Sequence, residues 1–171
     1  MEKVNGIVVH QTNSSTADST FNHYRGKREN GAHFLIGKYG IIFQTASLYK
    51  VTNHVGRLQS RCLATRICSP SEFTYVAGLE RARRVKEVSV HEHKKAFPQR
   101  FPSNADSIGI EIVGLFIDER KAYEPVNPRQ NESLAWLVRE LAATLKVSMQ
   151  EIYRHPVVAR KMESEAESAK W

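Results

Sequence analysis

The chain is short of the features that mark membrane proteins, disulfide scaffolds and disordered tails. Its 171 residues contain no apolar run near the ~20 residues that a bilayer-crossing helix needs, which argues against membrane insertion. Met1-Glu2-Lys3 leads into a strand-like segment and not into an apolar signal core, so the protein is expected to be made in the cytoplasm without a signal peptide. Two cysteines are too few for a disulfide framework; Cys62 and Cys68 could close one small bridge in an oxidising compartment. Their spacing and the lack of a second pair argue against a structural zinc knuckle. Low-complexity stretches and internal repeats are absent, and the length suits one domain able to bury its own core.

Acidic residues are also in deficit, with 18 Asp and Glu against 25 Lys and Arg and a formal charge of +7. Such a field attracts polyanions: nucleic acid, an anionic membrane or an anionic cell wall. The densest basic run, Arg81-Ala82-Arg83-Arg84, lacks interleaved aromatics and reads as a solvated helix face, so nucleic acid is not expected as a partner.

What is present begins with a β-branched run, Gly6-Ile7-Val8-Val9-His10, that breaks into Gln11-Thr12-Asn13-Ser14-Ser15. This pattern predicts a buried strand over 4–10 with the His10 imidazole at its mouth. A helix is predicted from Ser14 to Arg25, then a hairpin from His33-Phe34-Leu35-Ile36 through Lys38-Tyr39-Gly40 to Ile41-Ile42-Phe43-Gln44, with Leu48 to Val51 extending the sheet. Ser69-Pro70 reads as the start of a helix interrupted at Gly78, and Phe97 to Pro102 as an extended loop forming a wall or lid of the site. Ser107 to Gly114 is another apolar strand, whose one charged member, Glu111, needs a reason to be there. Asn131 reads as the cap of an amphipathic helix in which Leu134, Leu137, Val138, Leu141 and Leu145 recur at offsets of three and four. His91-Glu92-His93 tempts as a metal motif, but spacing of two on a helix parts the rings, and the reading is surface.

A second imidazole, His155, stands near the far end, followed by Lys161, Glu163 and Glu165. Two histidines and one carboxylate make a three-ligand zinc set with a fourth position open, the arrangement of catalytic zinc. His10 and His155 are the candidate imidazole ligands, and either late glutamate could complete the set.

The order of these motifs resembles the type 2, zinc-dependent N-acetylmuramoyl-L-alanine amidases, whose superfamily includes phage lysins and peptidoglycan recognition proteins. Ile7-Val8-Val9-His10-Gln11-Thr12 is similar to the family's first strand and first zinc histidine. Ala32-His33-Phe34-Leu35-Ile36 with Ile42-Phe43-Gln44 is similar to its hairpin, Lys38-Tyr39 replacing the usual charged pair before Gly40. Asn53-His54-Val55-Gly56 resembles its W-H-A-G element, and Ser107-Ile108-Gly109-Ile110-Glu111 its S-I-G-I-E strand. The resemblance implies an α/β fold with a central mixed sheet flanked by helices, the zinc site at one end of the sheet, and one domain over 1–171 with an insert at about 57–106.

It also implies roles. Ala32 stands where other members carry a catalytic tyrosine, so the proton-handling role falls to Glu111, with Lys161 steadying the reacting carbonyl oxygen. His155 corresponds to the second zinc histidine. The third ligand departs from the family's Asp or Cys: Glu165, at the ten-residue offset from His155 that some amidases show, is preferred, and Glu163 is the alternate. His33 and His54 are expected to line the substrate groove. The implied activity is zinc-dependent cleavage of the amide between N-acetylmuramic acid and L-alanine in peptidoglycan, by a monomer acting on the wall or in the periplasm after non-classical export or injection. The alternative is a peptidoglycan-binding module without catalysis. Recycling enzyme, phage lysin and antibacterial effector all fit as settings, and the last would require an immunity protein as partner.

Overall fold

The structure, a computed structural model, describes every residue except 27–29. In chain order the elements are β1 (Gly6–Gln11), α1 (Ala17–Tyr24), β2 (Phe34–Ile36), β3 (Ile42–Gln44), α2 (Arg61–Thr65), α3 (Pro70–Arg81) and α4 (Val85–His93). They continue with β4 (Ser107–Ile112), β5 (Phe116–Ile117), β6 (Ala122–Tyr123), α5 (Pro128–Leu145), a 3-10 turn (Met149–Glu151), β7 (Ile152–Arg154) and α6 (His155–Val158). Five strands form one mixed sheet in the order β3-β2-β4-β1-β7. All its pairings are parallel except β2 with β3. The fold is α/β, with a central mixed sheet flanked by helices.

Strand alternation sorts β1 and β4 into two faces. Ile7, Val9, Ile108, Ile110 and Ile112 join Leu134, Leu137, Val138 and Leu141 of α5 in the main core. Val8 packs on the other face with Val55, Leu58, Phe101 and Val158. The same alternation turns His10 and Glu111, which are register partners, towards that second face at the carboxyl ends of their strands. Open α/β sheets place ligands at these ends.

The predicted hairpin and amphipathic helix are present, and the local differences have clear causes. The cap of α5 is Asn127, not Asn131: Asn127 and Gln130 exchange side-chain and backbone bonds in a capping box, with Pro128 in the first turn. Thr16 caps α1, so that helix starts at Ala17. Gly78 stays within α3; the break falls after Arg81, where Arg83 adopts φ 55°. Leu48 to Val51 forms a turn and not a strand. Gly40, at φ 82°, lies where a Cβ would come within 2.9 Å of the Arg129 carbonyl, so α5 packs directly on the hairpin turn.

Segment 57–106 carries α2, α3 and α4, whose small core joins Val76, Leu79 and Val88 with Leu63. A Cys62–Cys68 disulfide closes the turn between α2 and α3. The Arg61 guanidinium, which donates to both Glu151 carboxylate oxygens at 2.7 and 3.0 Å, ties the segment to the start of β7. The loop from Phe97 to Pro102 is no lid: Phe101 is buried against the second face, and Pro102 packs beside Gly6 at the amino end of β1, away from the strand ends that carry His10 and Glu111.

Candidate active site

A cavity of about 500 Å³ opens at the carboxyl ends of β1 and β4 and is lined by His10, His54, Glu111, His155, Lys161 and Glu165. Each side chain arrives from a different element. His10 comes from β1 and Glu111 from β4, while His155 follows β7 directly and is brought level with His10 by the parallel β1–β7 pairing. Glu165 comes from the turns after α6. Its position is held by Gln11, whose Oε1 accepts from the Ala166 amide at 3.2 Å while its Nε2 donates to the Glu124 carbonyl at 2.8 Å.

One atom of each of His10, His155 and Glu165 lies within 4.8 Å of the others, and all three residues are buried. Glu165 Oε1 faces His155 Nδ1 at 2.8 Å and His10 Nδ1 at 3.6 Å. His155 donates Nε2–H to the Val55 carbonyl at 2.8 Å, so Nδ1 is the ring nitrogen left to face Glu165 and to offer its lone pair to a cation. Two imidazole nitrogens and a carboxylate oxygen converging in a buried space form a donor set suited to a cation, and the residue types suit zinc. Glu163 is exposed and does not line the cavity; Glu165 is the late glutamate that meets the histidines.

The electrostatics follow from burial and proximity. Burial, reinforced by neighbouring His155, pulls His10 down to about 4 against the opposing pull of Glu165. For Glu165 burial works upwards, but its contacts with His10 and His155 win and hold it at about 2. Glu111 behaves oppositely. Burial and the nearby Glu165 charge push it up to about 8, with Lys161 opposing, and its Oε2 is buried without a hydrogen-bond partner. An acceptor left open towards a cavity is available to a ligand.

Two expectations need correction. His33 is fully buried and lies outside the cavity wall, because its Nε2 donates to the Lys50 carbonyl at 2.9 Å and its Nδ1 accepts from the Gly109 amide at 3.1 Å. It pins β2 to β4 and offers nothing to a groove. His54 does line the cavity, but both ring nitrogens are engaged, by His10 at 3.0 Å and Ser107 at 3.2 Å, which leaves none for substrate. Conversely, Tyr24 and Tyr123 reach the cavity without having been singled out for it. Burial, then Glu165 and Glu111, push Tyr123 up to about 12, so it stays a hydrogen-bond donor.

A second cluster, Glu72, His91 and Glu92, lies in segment 57–106 and corrects the surface reading of His91-Glu92-His93 in part. Glu92 is fully buried. Its partner is Lys95, whose Nζ donates at 2.5 Å to both Glu92 Oε1 and Glu72 Oε1.

Among the described residues, no helix is long and apolar enough to cross a membrane. No curated protein matches the chain in sequence. Solved structures share its fold. AmiD from E. coli, in complex with the substrate anhydro-N-acetylmuramic acid-L-Ala-D-gamma-Glu-L-Lys, superposes with a TM-score of 0.61 at 18% identity, covering 92% of this chain and 51% of that one. AmpDh3 from Pseudomonas aeruginosa, in complex with anhydromuramic pentapeptide, gives 0.60 at 19%, covering 92% and 53%. The N-acetylmuramoyl-L-alanine amidase LysC from Clostridium intestinale gives 0.56 at 21%, covering 93% and 74%. The chain thus spans about half the length of the first two. The family model for N-acetylmuramoyl-L-alanine amidase (Amidase_2) matches residues 1–169, and the chain belongs to that family.

Proposed function

We propose that the protein hydrolyses the amide between the lactyl group of N-acetylmuramic acid and the L-alanine of the peptidoglycan stem peptide, with zinc held by His10, His155 and Glu165. The observation that carries this reading is the convergence of those three donors beside Glu111, on one sheet face and inside one cavity. Zinc in that set would supply Lewis acidity, polarising a carbonyl and making water acidic near neutral pH.

The chain's own residues do the rest. Glu111, kept basic by burial, takes the proton of the attacking water and hands it to the leaving nitrogen. Lys161 brings its ammonium to the cavity wall, where it offsets negative charge developing on the carbonyl oxygen. Tyr123 stays protonated and can hydrogen-bond substrate. The Cys62–Cys68 disulfide fits work in an oxidising compartment, on the wall or in the periplasm. The test combines metal analysis of purified protein with mass spectrometry of digested sacculi. About one zinc per chain and free stem peptides beginning with L-Ala are expected. Bound peptidoglycan with no such peptides would instead identify a recognition module.

A further inference from the structure

The environment of His54 and Val55 sets which nitrogen each zinc histidine presents. Four groups form a chain of hydrogen bonds: His10 Nε2 to His54 Nδ1 at 3.0 Å, His54 Nε2 to Ser107 Oγ at 3.2 Å, and Ser107 Oγ to the Ser103 carbonyl at 2.6 Å. The last group can only accept, so the direction of every bond follows from that end. Ser107 gives its one hydrogen to Ser103 and must accept from His54. His54 therefore carries its proton on Nε2 and, being neutral, accepts at Nδ1. His10 must then donate from Nε2, which leaves the Nδ1 lone pair facing Glu165.

The next residue does the same for His155 through its backbone, since the Val55 carbonyl accepts Nε2–H at 2.8 Å. The dipeptide is itself held from behind. Asn104 Oδ1 accepts from the amides of both His54 and Val55, at 3.1 and 2.7 Å. Gly109 makes room for the arrangement: a Cβ there would stand 2.7 Å from His54 Cγ, so only glycine lets the ring lie against β4 at this point.

We propose that His54 is a positioning residue that locks His10 in the Nε2–H tautomer, and that the His54-Val55 dipeptide, fixed by Asn104, sets the ligand nitrogen of both zinc histidines. This rests on the zinc assignment above, and it reassigns His54 from substrate contact to the support of a ligand. Groups that orient metal ligands typically contribute about 10–100-fold to metal affinity.

The test has two readouts. In metal-free wild-type protein, histidine ring nitrogen shifts measured by NMR should show His10 and His54 both protonated at Nε2; a proton on Nδ1 of either ring would overturn the proposal without involving zinc. In chelator competition, His54→Leu should weaken zinc binding about 10–100-fold. His54→Asn, whose Oδ1 can replace the Nδ1 acceptor, should recover most of the loss, a rescue that a purely packing role would not produce. Wild-type affinity in a folded His54→Leu variant overturns the proposal. If that variant does not fold, Ser107→Ala, which frees the direction of the chain, must shift the His10 tautomer mixture; an unchanged tautomer counts against the proposal. Failure of wild-type protein to bind zinc would sink the functional reading, and the tautomers would still be decided by NMR.

Discussion

Among the described residues, histidine and carboxylates cluster in two places, fully buried at the sheet end and partly buried in segment 57–106, and the two are built to opposite ends. At the sheet end, His10, His155 and Glu165 converge with their donor atoms inside the cavity, and Lys161 lines its wall. In segment 57–106, Glu72, His91 and Glu92 look similar as a set of residue types, yet Lys95 already places its ammonium against both carboxylates. A list of potential ligands therefore does not define a metal site. What defines it is whether the chain has supplied its own cation.

The contrast is broken most severely by His10→Ala. Metal content should fall from about one zinc per chain to near none, and cleavage of sacculi should stop, because two remaining protein ligands do not make a catalytic zinc site. Full occupancy in that variant would show that the convergence at the sheet end is not the site. Glu111→Gln separates holding a metal from using it: turnover should drop by roughly 10²-fold or more while zinc content and melting temperature stay close to wild type. A near-normal rate would remove Glu111 from the chemistry.

Lys95→Met tests the other half of the comparison. It strips the cation from a cluster in which Glu92 is fully buried, and should cost about 1–3 kcal/mol of stability, read from thermal or urea unfolding. Zinc content and rate per folded molecule should not change. Stabilisation of this variant by zinc, with a second equivalent bound, would mean that this cluster becomes a metal site once its lysine is gone.

Acidification of metal-free protein should distinguish the clusters by pH. His10 titrates near 4 in the fold against 6.5 when unfolded, so the unfolded chain binds the proton first. Its contribution is complete above pH 6.5 and fades as pH falls towards 4. Glu72 is also shifted down; burial opposes this, but Lys95 and His91 outweigh it, so its contribution is lost only below the ordinary carboxylate value of 4.5. Melting temperature against pH should therefore begin to fall near 6.5, and His10→Asn should reduce that early step, which is shared by His54 and His33, both also held below 6.5 by burial. An unchanged early step would assign it to another group. The smallest effect belongs to Glu163→Ala, an exposed position outside the cavity. Stability and zinc binding should stay within about 0.5 kcal/mol of wild type, whereas Glu165→Ala should lose the metal.

Legibility followed the range of the interactions involved. The β1 and β4 strands, the hairpin and α5 were readable because their periodicity is local, and a charged residue inside an apolar strand, Glu111, declares itself in the same way. The start of α3 at Ser69-Pro70 was readable, whereas those of α1 and α5 were misplaced by a few residues because several small polar side chains compete for the cap, and only the bond between Asn127 and Gln130 decides for α5. His33 and His54 look alike in sequence, each beside apolar neighbours. One turned out to pin two strands and the other to support His10, and both outcomes depend on partners from elsewhere in the chain, Gly109 and Ser107 among them.

From residue order alone came the separate strands and helices, His10 at the mouth of one strand and Glu111 within another, which rest on local alternation and spacing, and the family resemblance, which implied the mixed sheet; that His10 and Glu111 share a face was decided by the parallel pairing of β1 with β4. The resemblance already preferred Glu165 over Glu163, but its meeting with the histidines depends on the turn after α6, held to β1 by the bond between Gln11 and Ala166. The hydrogen bond from His10 to His54 and the cation that Lys95 supplies to Glu72 and Glu92 likewise exist only in three dimensions. A ligand set depends on distances between atoms from separate elements, and those distances exist only once the sheet has brought the two ends of the chain together.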